Sequence, residues 1–136
     1  MDNLDFDKQA DELVEKAMQY PGLQIIRCYP FLKLYLFSEN NIEWEIVIYY
    51  HIGYRVPVMY FRCRNLILAF YEVMDQIKQF KEFITPEELP TTGQPFYVLH
   101  PCRSKELLDI SGSLLSWLSI TLQAIGVSLP LSIYIQ

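Results

Sequence analysis

Hydrophobic positions change their period several times along the chain, and each change marks an element. Phe6, Ala10, Leu13 and Ala17 recur at steps of four, three and four, with Asp2, Asp5, Asp7, Glu12 and Glu15 around them. That spacing draws one apolar stripe on a helix, and acids near its start complement the macrodipole. Pro21-Gly22 ends it. The period then falls to two. "FLKLYLF" (31–37) sets Leu32, Leu34 and Leu36 against Phe31, Lys33, Tyr35 and Phe37. After the turn signal Asn40-Asn41, "IEWEIVIYYHIGY" puts Ile42, Trp44, Ile46, Ile48, Tyr50, Ile52 and Tyr54 on one face. Glu43, Glu45, Val47, Tyr49, His51 and Arg55 fall on the other. One apolar and one mixed face predict an antiparallel sheet with one side partly wet. "VMYFRCR" (58–64) reads as a third strand, with Pro57 at its beginning.

From Leu66 the helical period returns. Leu66, Phe70, Val73, Ile77, Phe80 and Ile84 predict one helix with a core-facing seam. "TPEELPTTGQP" (85–95) has loop composition. A short apolar strand, Phe96–Leu99, follows, then a short helix and a longer uncharged one. Helix, three-strand meander, helix, strand, helices is an α+β order with helices packed on a central antiparallel meander. With no repeat or linker in 136 residues, the expectation is a single domain over 1–136.

The segment Ile110–Gln136 carries no charge. A spanning helix needs about 20 apolar residues, but here Gly126 and Pro130 interrupt the run. Gly112, Ser116, Ser119 and Gln123 fall on one helical side and Leu114, Trp117, Leu118 and Ile125 elsewhere. The expectation is a helix wedged against the sheet and no stable membrane insertion. The acidic start lacks the apolar stretch of a secretory signal.

Composition adds 51% hydrophobic residues, with 10 tyrosines and 8 phenylalanines, which suits large packed sheet surfaces. A net charge of -5 with no basic cluster argues against nucleic acid as a partner. Cys28, Cys63 and Cys102 are far apart and form no CxxC, so neither a disulfide framework nor a zinc pattern is indicated. A reducing compartment, and so a cytoplasmic location, is expected. Cys28 and Cys63 sit in aromatic strand-like runs and read as small buried hydrophobes. There is no GxGxxG, GxxxxGK[ST] or GxSxG.

Cys102 carries the sharpest chemistry. In "FYVLHPCRSKELL" an apolar run stops at His-Pro-Cys and turns polar. Pro101 biases His100 towards an extended conformation, and "RSKELL" can start a helix. A cysteine near a helix N-terminus meets unpaired N–H groups and the positive dipole end, which favour a thiolate. Arg103 and Lys105 are expected to add positive charge nearby, as a nucleophile needs. A buried cysteine capping a strand accounts for the same residues. His100 could orient a group beside the sulfur, move a proton or simply end the strand, and His51 reads as a surface or sheet-packing residue.

"YRVPVMYFR" (54–62), "GQPFYVLHPC" (93–102) and "SWLSITLQAIGVSLPLSIY" (116–134) together resemble the family of noncanonical E2-like conjugating enzymes that contains autophagy-related proteins 3 and 10. The resemblance implies a ubiquitin-E2-like fold. It implies that Cys102 accepts the ubiquitin-like autophagy-related protein 12 as a thioester from the E1-like autophagy-related protein 7. Transfer to a lysine of autophagy-related protein 5 would follow. It implies no cofactor in this chain, since the E1 performs the adenylation. Ubiquitin E2 enzymes use the asparagine of a His-Pro-Asn motif, and this chain has none. Its possible helpers are His100 and Tyr54, the latter in the Tyr-x-Val-Pro block; plain packing accounts for Tyr54 equally. The alternatives are a non-catalytic E2-variant-like interaction module and a thiol hydrolase. The strands from 42 to 62 are expected to offer an edge for the acceptor protein by strand addition, with charge reversal at Arg55 or Arg62 slowing conjugation alone.

Overall fold

In a computed structural model that describes residues 1–134, α1 (Asn3–Ala17) carries the predicted stripe, with Phe6, Ala10, Leu13 and Ala17 all buried. Its start is a reciprocal cap. The Asp2 carboxylate accepts the Asp5 N–H at 2.8 Å, and that of Asp5 accepts the Asp2 N–H at 3.2 Å, which satisfies donors that have no partner inside the helix.

Six antiparallel strands follow: β1 (Gln24–Cys28), β2 (Phe31–Phe37), β3 (Glu43–His51), β4 (Val56–Cys63), β5 (Ile84–Glu88) and β6 (Pro95–Leu99). They lie in the order β1-β2-β3-β4-β6-β5. The α+β class and central meander expected from the sequence are present, and two strands are additional. β1 is only five residues long and brings Arg27 onto the helix-covered face. There Arg27 pairs with Asp7 and, at 3.0 Å, with Asp11, while donating to the Phe31 carbonyl at 3.1 Å. A single guanidinium thus ties the β1–β2 hairpin to α1. Arg27→Ala is expected to lower the unfolding free energy by about 2 kcal/mol, measured by urea denaturation, because charge-assisted bonds are lost from a largely enclosed site.

β5 lies in the stretch with loop composition. Pro86 and the acids Glu87 and Glu88 disguise it, yet they are residues an edge strand tolerates. Thr91, at φ 76, and Gly93 turn the chain back into β6, with Leu89 N–H bonded to the Gln94 carbonyl at 2.8 Å.

The predicted helix over 66–84 is largely absent. Only α2 (Phe70–Gln76) forms, followed by a 3-10 turn at Lys81–Phe83. Val73, Ile77 and Ile84 are buried, but Leu66 and Phe70 are about half exposed. The regular spacing came from residues of different elements. Lys78 N–H is captured by the Ala124 carbonyl at 2.6 Å, and Phe80 takes a left-handed φ of 63. Neither is compatible with a continuing helix.

On one face of the sheet Leu32, Leu34, Trp44, Ile46, Ile48, Met59 and Phe61 are fully buried, and Phe6 of α1 packs on Tyr50. The other face covers its valines with its own large side chains. Phe31 lies 5.6 Å from Tyr49, Tyr60 lies 6.5 Å from Phe96, and the Arg62 guanidinium sits 4.4 Å over Phe96. Enclosure and the charge of Glu87 push the Tyr60 hydroxyl up to about 12, so it stays protonated. The alternation of β3 stops at His51. Ile52 and Tyr54 leave the buried face and are exposed in a turn.

β3 and β4 are interior strands, flanked by β2 and β6. The expected free edge between 42 and 62 is therefore absent; the edges are β1 and β5. The uncharged C-terminal stretch is divided. α3 (Pro101–Ser111) ends at Gly112, whose φ of 80 suits glycine. α4 (Leu114–Thr121) continues into a 3-10 turn at Leu122–Ile125, and Leu131–Tyr134 forms another. Leu114, Trp117, Leu118 and Leu122 are fully buried, as the wedge reading requires. Among the described residues no helix is long and apolar enough to cross a membrane; the last two residues of the uncharged run lie outside them.

Candidate active site

β6 delivers the chain to His100, and α3 starts immediately. His100 is the N-cap, with extended backbone at φ -54 and ψ 137, and Pro101 occupies the first helical position. Both follow from the proline. It holds the residue before it extended, and its missing N–H costs nothing at a helix start. Cys102 is then at the second helical position, exposed, at the positive end of the helix dipole.

The cap is made by the imidazole. His100 Nδ1 accepts the Cys102 N–H at 3.2 Å, and the same nitrogen lies 3.0 Å from Cys102 Sγ. A neutral Nδ1 has one lone pair in the ring plane, which both the amide and the thiol S–H approach. If the thiol proton moves to Nδ1, the ring becomes a donor to the thiolate and releases the amide. The arrangement can therefore hold the sulfur in either protonation state.

Arg103 and Lys105 do not add free positive charge. Arg103 pairs with Glu106 at 2.5 Å and Lys105 with Asp109 at 3.6 Å. Arg103 instead braces the site, with its guanidinium 5.1 Å from the centroids of both Phe80 and Phe83. The segment carrying those rings also accepts the His100 N–H on the Phe83 carbonyl at 2.8 Å. Sequence reasoning missed this clamp because it placed Phe80 in a helix.

Tyr54 comes from the β3–β4 turn. Its ring is edge-on to His100, with centroids 6.4 Å apart, and it is 45% exposed. An exposed ring is not a core residue, so packing alone does not account for its position. His51 also contacts Tyr54 edge-on, with centroids 5.0 Å apart. The fold thus brings together Cys102, His100, Tyr54 and His51. The first three were singled out from the sequence. His51 was assigned to the sheet surface, although its spacing of three from Tyr54 across a glycine is a turn signal.

The other thiols are elsewhere. Cys28 is exposed at the end of β1, on the far edge of the sheet, rather than in the core as its aromatic neighbours suggested. The hairpin ends there, so no strand continues over it. Cys63 is half-buried, with Sγ 3.6 Å from Asn65 Oδ1. Asn40, Asn41 and Asn65 do not take the place of the ubiquitin-E2 residue. Asn65 bonds the Glu43 N–H and the Asn41 carbonyl, and Asn40 bonds Gln76, all at the end of β3 remote from the Tyr54 turn. Among the described residues no group of three or more His, Cys, Asp or Glu side chains is placed to hold a metal.

The family described as autophagocytosis associated protein, active-site domain, matches residues 7–132. Three relatives named ubiquitin-like-conjugating enzyme ATG10 are similar to the chain. The Homo sapiens protein is 32% identical over a match covering 70% of this chain and 54% of the relative. The Pichia angusta protein is 30% identical over 54% of the chain and 63% of the relative. The Arabidopsis thaliana protein is 30% identical over 68% and 53%. The chain spans little more than half the length of these relatives.

Proposed function

This chain belongs to the autophagocytosis associated protein active-site domain family, and from that premise we propose that it is an E2-type conjugating enzyme with Cys102 as its thioester residue. The observation that carries the reading is the exposed Cys102 thiol at the start of α3, 3.0 Å from His100 Nδ1. The names of the relatives support the same class of chemistry.

Two acyl transfers make up the reaction. In the first, His100 takes the Cys102 proton and the thiolate attacks the thioester carbonyl held by the E1. The tetrahedral intermediate collapses, the E1 thiolate leaves and takes up the proton that His100 carries, His100 is neutral again, and the ubiquitin-like protein is now bonded to Cys102. In the second, a lysine amine attacks that carbonyl. It gives one proton to His100, the Cys102 thiolate leaves, and an amide bond remains. A thiol near a helix start suits both steps, because it must serve as nucleophile and as leaving group. In the second transfer the Tyr54 hydroxyl supplies a hydrogen bond to the oxyanion, in the absence of the ubiquitin-E2 asparagine. Arg103, braced by Phe80 and Phe83, keeps the first turn of α3 in place. The donor is the E1-like autophagy-related protein 7, the cargo is autophagy-related protein 12, and the acceptor is a lysine of autophagy-related protein 5, in the cytoplasm where thiols stay reduced.

The test is to incubate the chain with that E1, ATP and the ubiquitin-like protein, then run gels without reductant. An adduct that dithiothreitol removes is expected, followed by a reduction-resistant conjugate when the acceptor is added. No adduct, in a sample where the E1 itself is visibly charged, overturns the proposal in favour of a non-catalytic module. Cleavage of small thioesters without any E1 would point to a hydrolase.

A further inference from the structure

The turn that carries Tyr54 has almost no anchorage in the core. Ile52 is 71% exposed and Tyr54 is 45% exposed. What fixes the turn is local. Arg55 N–H closes it on the His51 carbonyl at 2.7 Å, with Arg55 in the left-handed region at φ 56. Inside that loop the Tyr54 N–H donates to His51 Nδ1 at 3.1 Å, and the two rings meet edge-to-face at 72°. Gly53 leaves room for this ring. A Cβ there would lie 3.1 Å from His51 Cε1, tighter than most packing contacts, and 3.4 Å from Nδ1. His51 itself is held by the sheet, as the last residue of β3, opposite Val56 of β4.

From this geometry we infer that His51 is a positioning residue for conjugation: its Nδ1 anchors the Tyr54 backbone to the sheet and so sets the Tyr54 ring against His100, the partner of Cys102. The inference rests on the E2 reading and deepens it. The contacts run in one direction, from β3 through His51 to Tyr54, and from Tyr54 to His100, which comes from a separate part of the chain. His51 does not touch the sulfur. Its effect passes through the orientation of Tyr54. Attack on the E1 thioester needs the Cys102–His100 pair, while oxyanion stabilisation during lysine attack needs Tyr54 in place. Loss of the His51 bond is therefore felt in discharge rather than in loading.

Three replacements separate the acceptor atom from the ring. His51→Phe keeps an aromatic edge against Tyr54 but has no acceptor. His51→Asn keeps an acceptor near the position of Nδ1. His51→Ala keeps neither. Each is loaded by the E1 and chased with the acceptor lysine in a single turnover, and its thermal unfolding is recorded. Loading within about twofold of the unsubstituted chain is expected for all three. Discharge is expected to slow about tenfold for Ala and Phe, the scale of one lost hydrogen bond, and to recover to within about twofold for Asn. In a Tyr54→Phe background His51→Ala should add nothing further, because the group it positions is gone. Equal slowing of loading and discharge, failure of Asn to recover, or additive effects in the double variant would each overturn the inference while the E2 reading stands. Failure of the unsubstituted chain to load removes the E2 reading, and this inference with it.

Discussion

Cys102→Ser is expected to abolish the reductant-sensitive adduct and leave, at most, a slowly formed adduct that dithiothreitol does not remove. A hydroxyl at the same place has the same helix start and the same His100 Nδ1 at hand. Its proton is far harder to remove than that of a thiol, so transfer from the E1 slows by orders of magnitude. An oxygen ester, once formed, resists thiols and is a poorer acyl donor to an amine. The readout is a pair of gels, with and without reductant, over a time course. Cys28→Ser and Cys63→Ser serve as controls and should charge like the unsubstituted chain. Cys28 is on the far edge of the sheet, and Cys63 is half-buried beside Asn65. A reductant-sensitive adduct surviving in Cys102→Ser would move the thioester to another cysteine and end the assignment.

Arg62→Glu is expected to destabilise the whole domain by about 3–5 kcal/mol, the usual cost of leaving a buried charge without its partner. Arg62 and Glu45 are directly opposed on β4 and β3, with Nε 2.7 Å from Oε1. Glu45 is only 7% exposed, so water cannot replace the guanidinium. Reversal puts two carboxylates face to face and removes the cation stacked on Phe96. Against a typical total of about 5–15 kcal/mol, the loss should appear as a large fall in the urea midpoint. Loading and conjugation should fall together as folded protein is lost. Arg62 is therefore no probe of acceptor docking, contrary to what its place on the mixed strand face suggests. Arg55, exposed in the Tyr54 turn, remains one. A near-neutral Arg62→Glu in urea would mean that Glu45 is not held as described.

Legibility of the fold followed the length of the patterned segments. α1, β2, β3 and β4 were readable because alternation or helical spacing ran for seven residues or more against one continuous face. β1 and β5 were not, since five residues such as Ile84–Glu88, with a proline and two acids, carry no alternation. Each shows itself only through its hairpin partner, β2 for β1 and β6 for β5. The helix expected over 66–84 is the converse case. Val73, Ile77 and Ile84 are buried at helical spacing, yet Ile84 belongs to β5 and Lys78 is bonded to Ala124. Burial alone produces periodicity, whatever element supplies it.

The candidate site divides in the same way. The sequence by itself determined the His100-Pro101-Cys102 geometry, because a proline fixes its own φ and restrains the residue before it without help from the rest of the chain. It also carried the resemblance that singled out Cys102. What only the tertiary structure decided is which side chains surround that sulfur. Tyr54 meets His100, and His51 meets Tyr54, because β3 and β4 are joined by a turn at the end of the sheet where β6 releases α3. Arg103 braces instead of charging the site because Phe80 and Phe83 close around it. Contacts of that kind depend on strand order and on where each strand stops, and those are set by the packing of the whole sheet, not by any local run of residues.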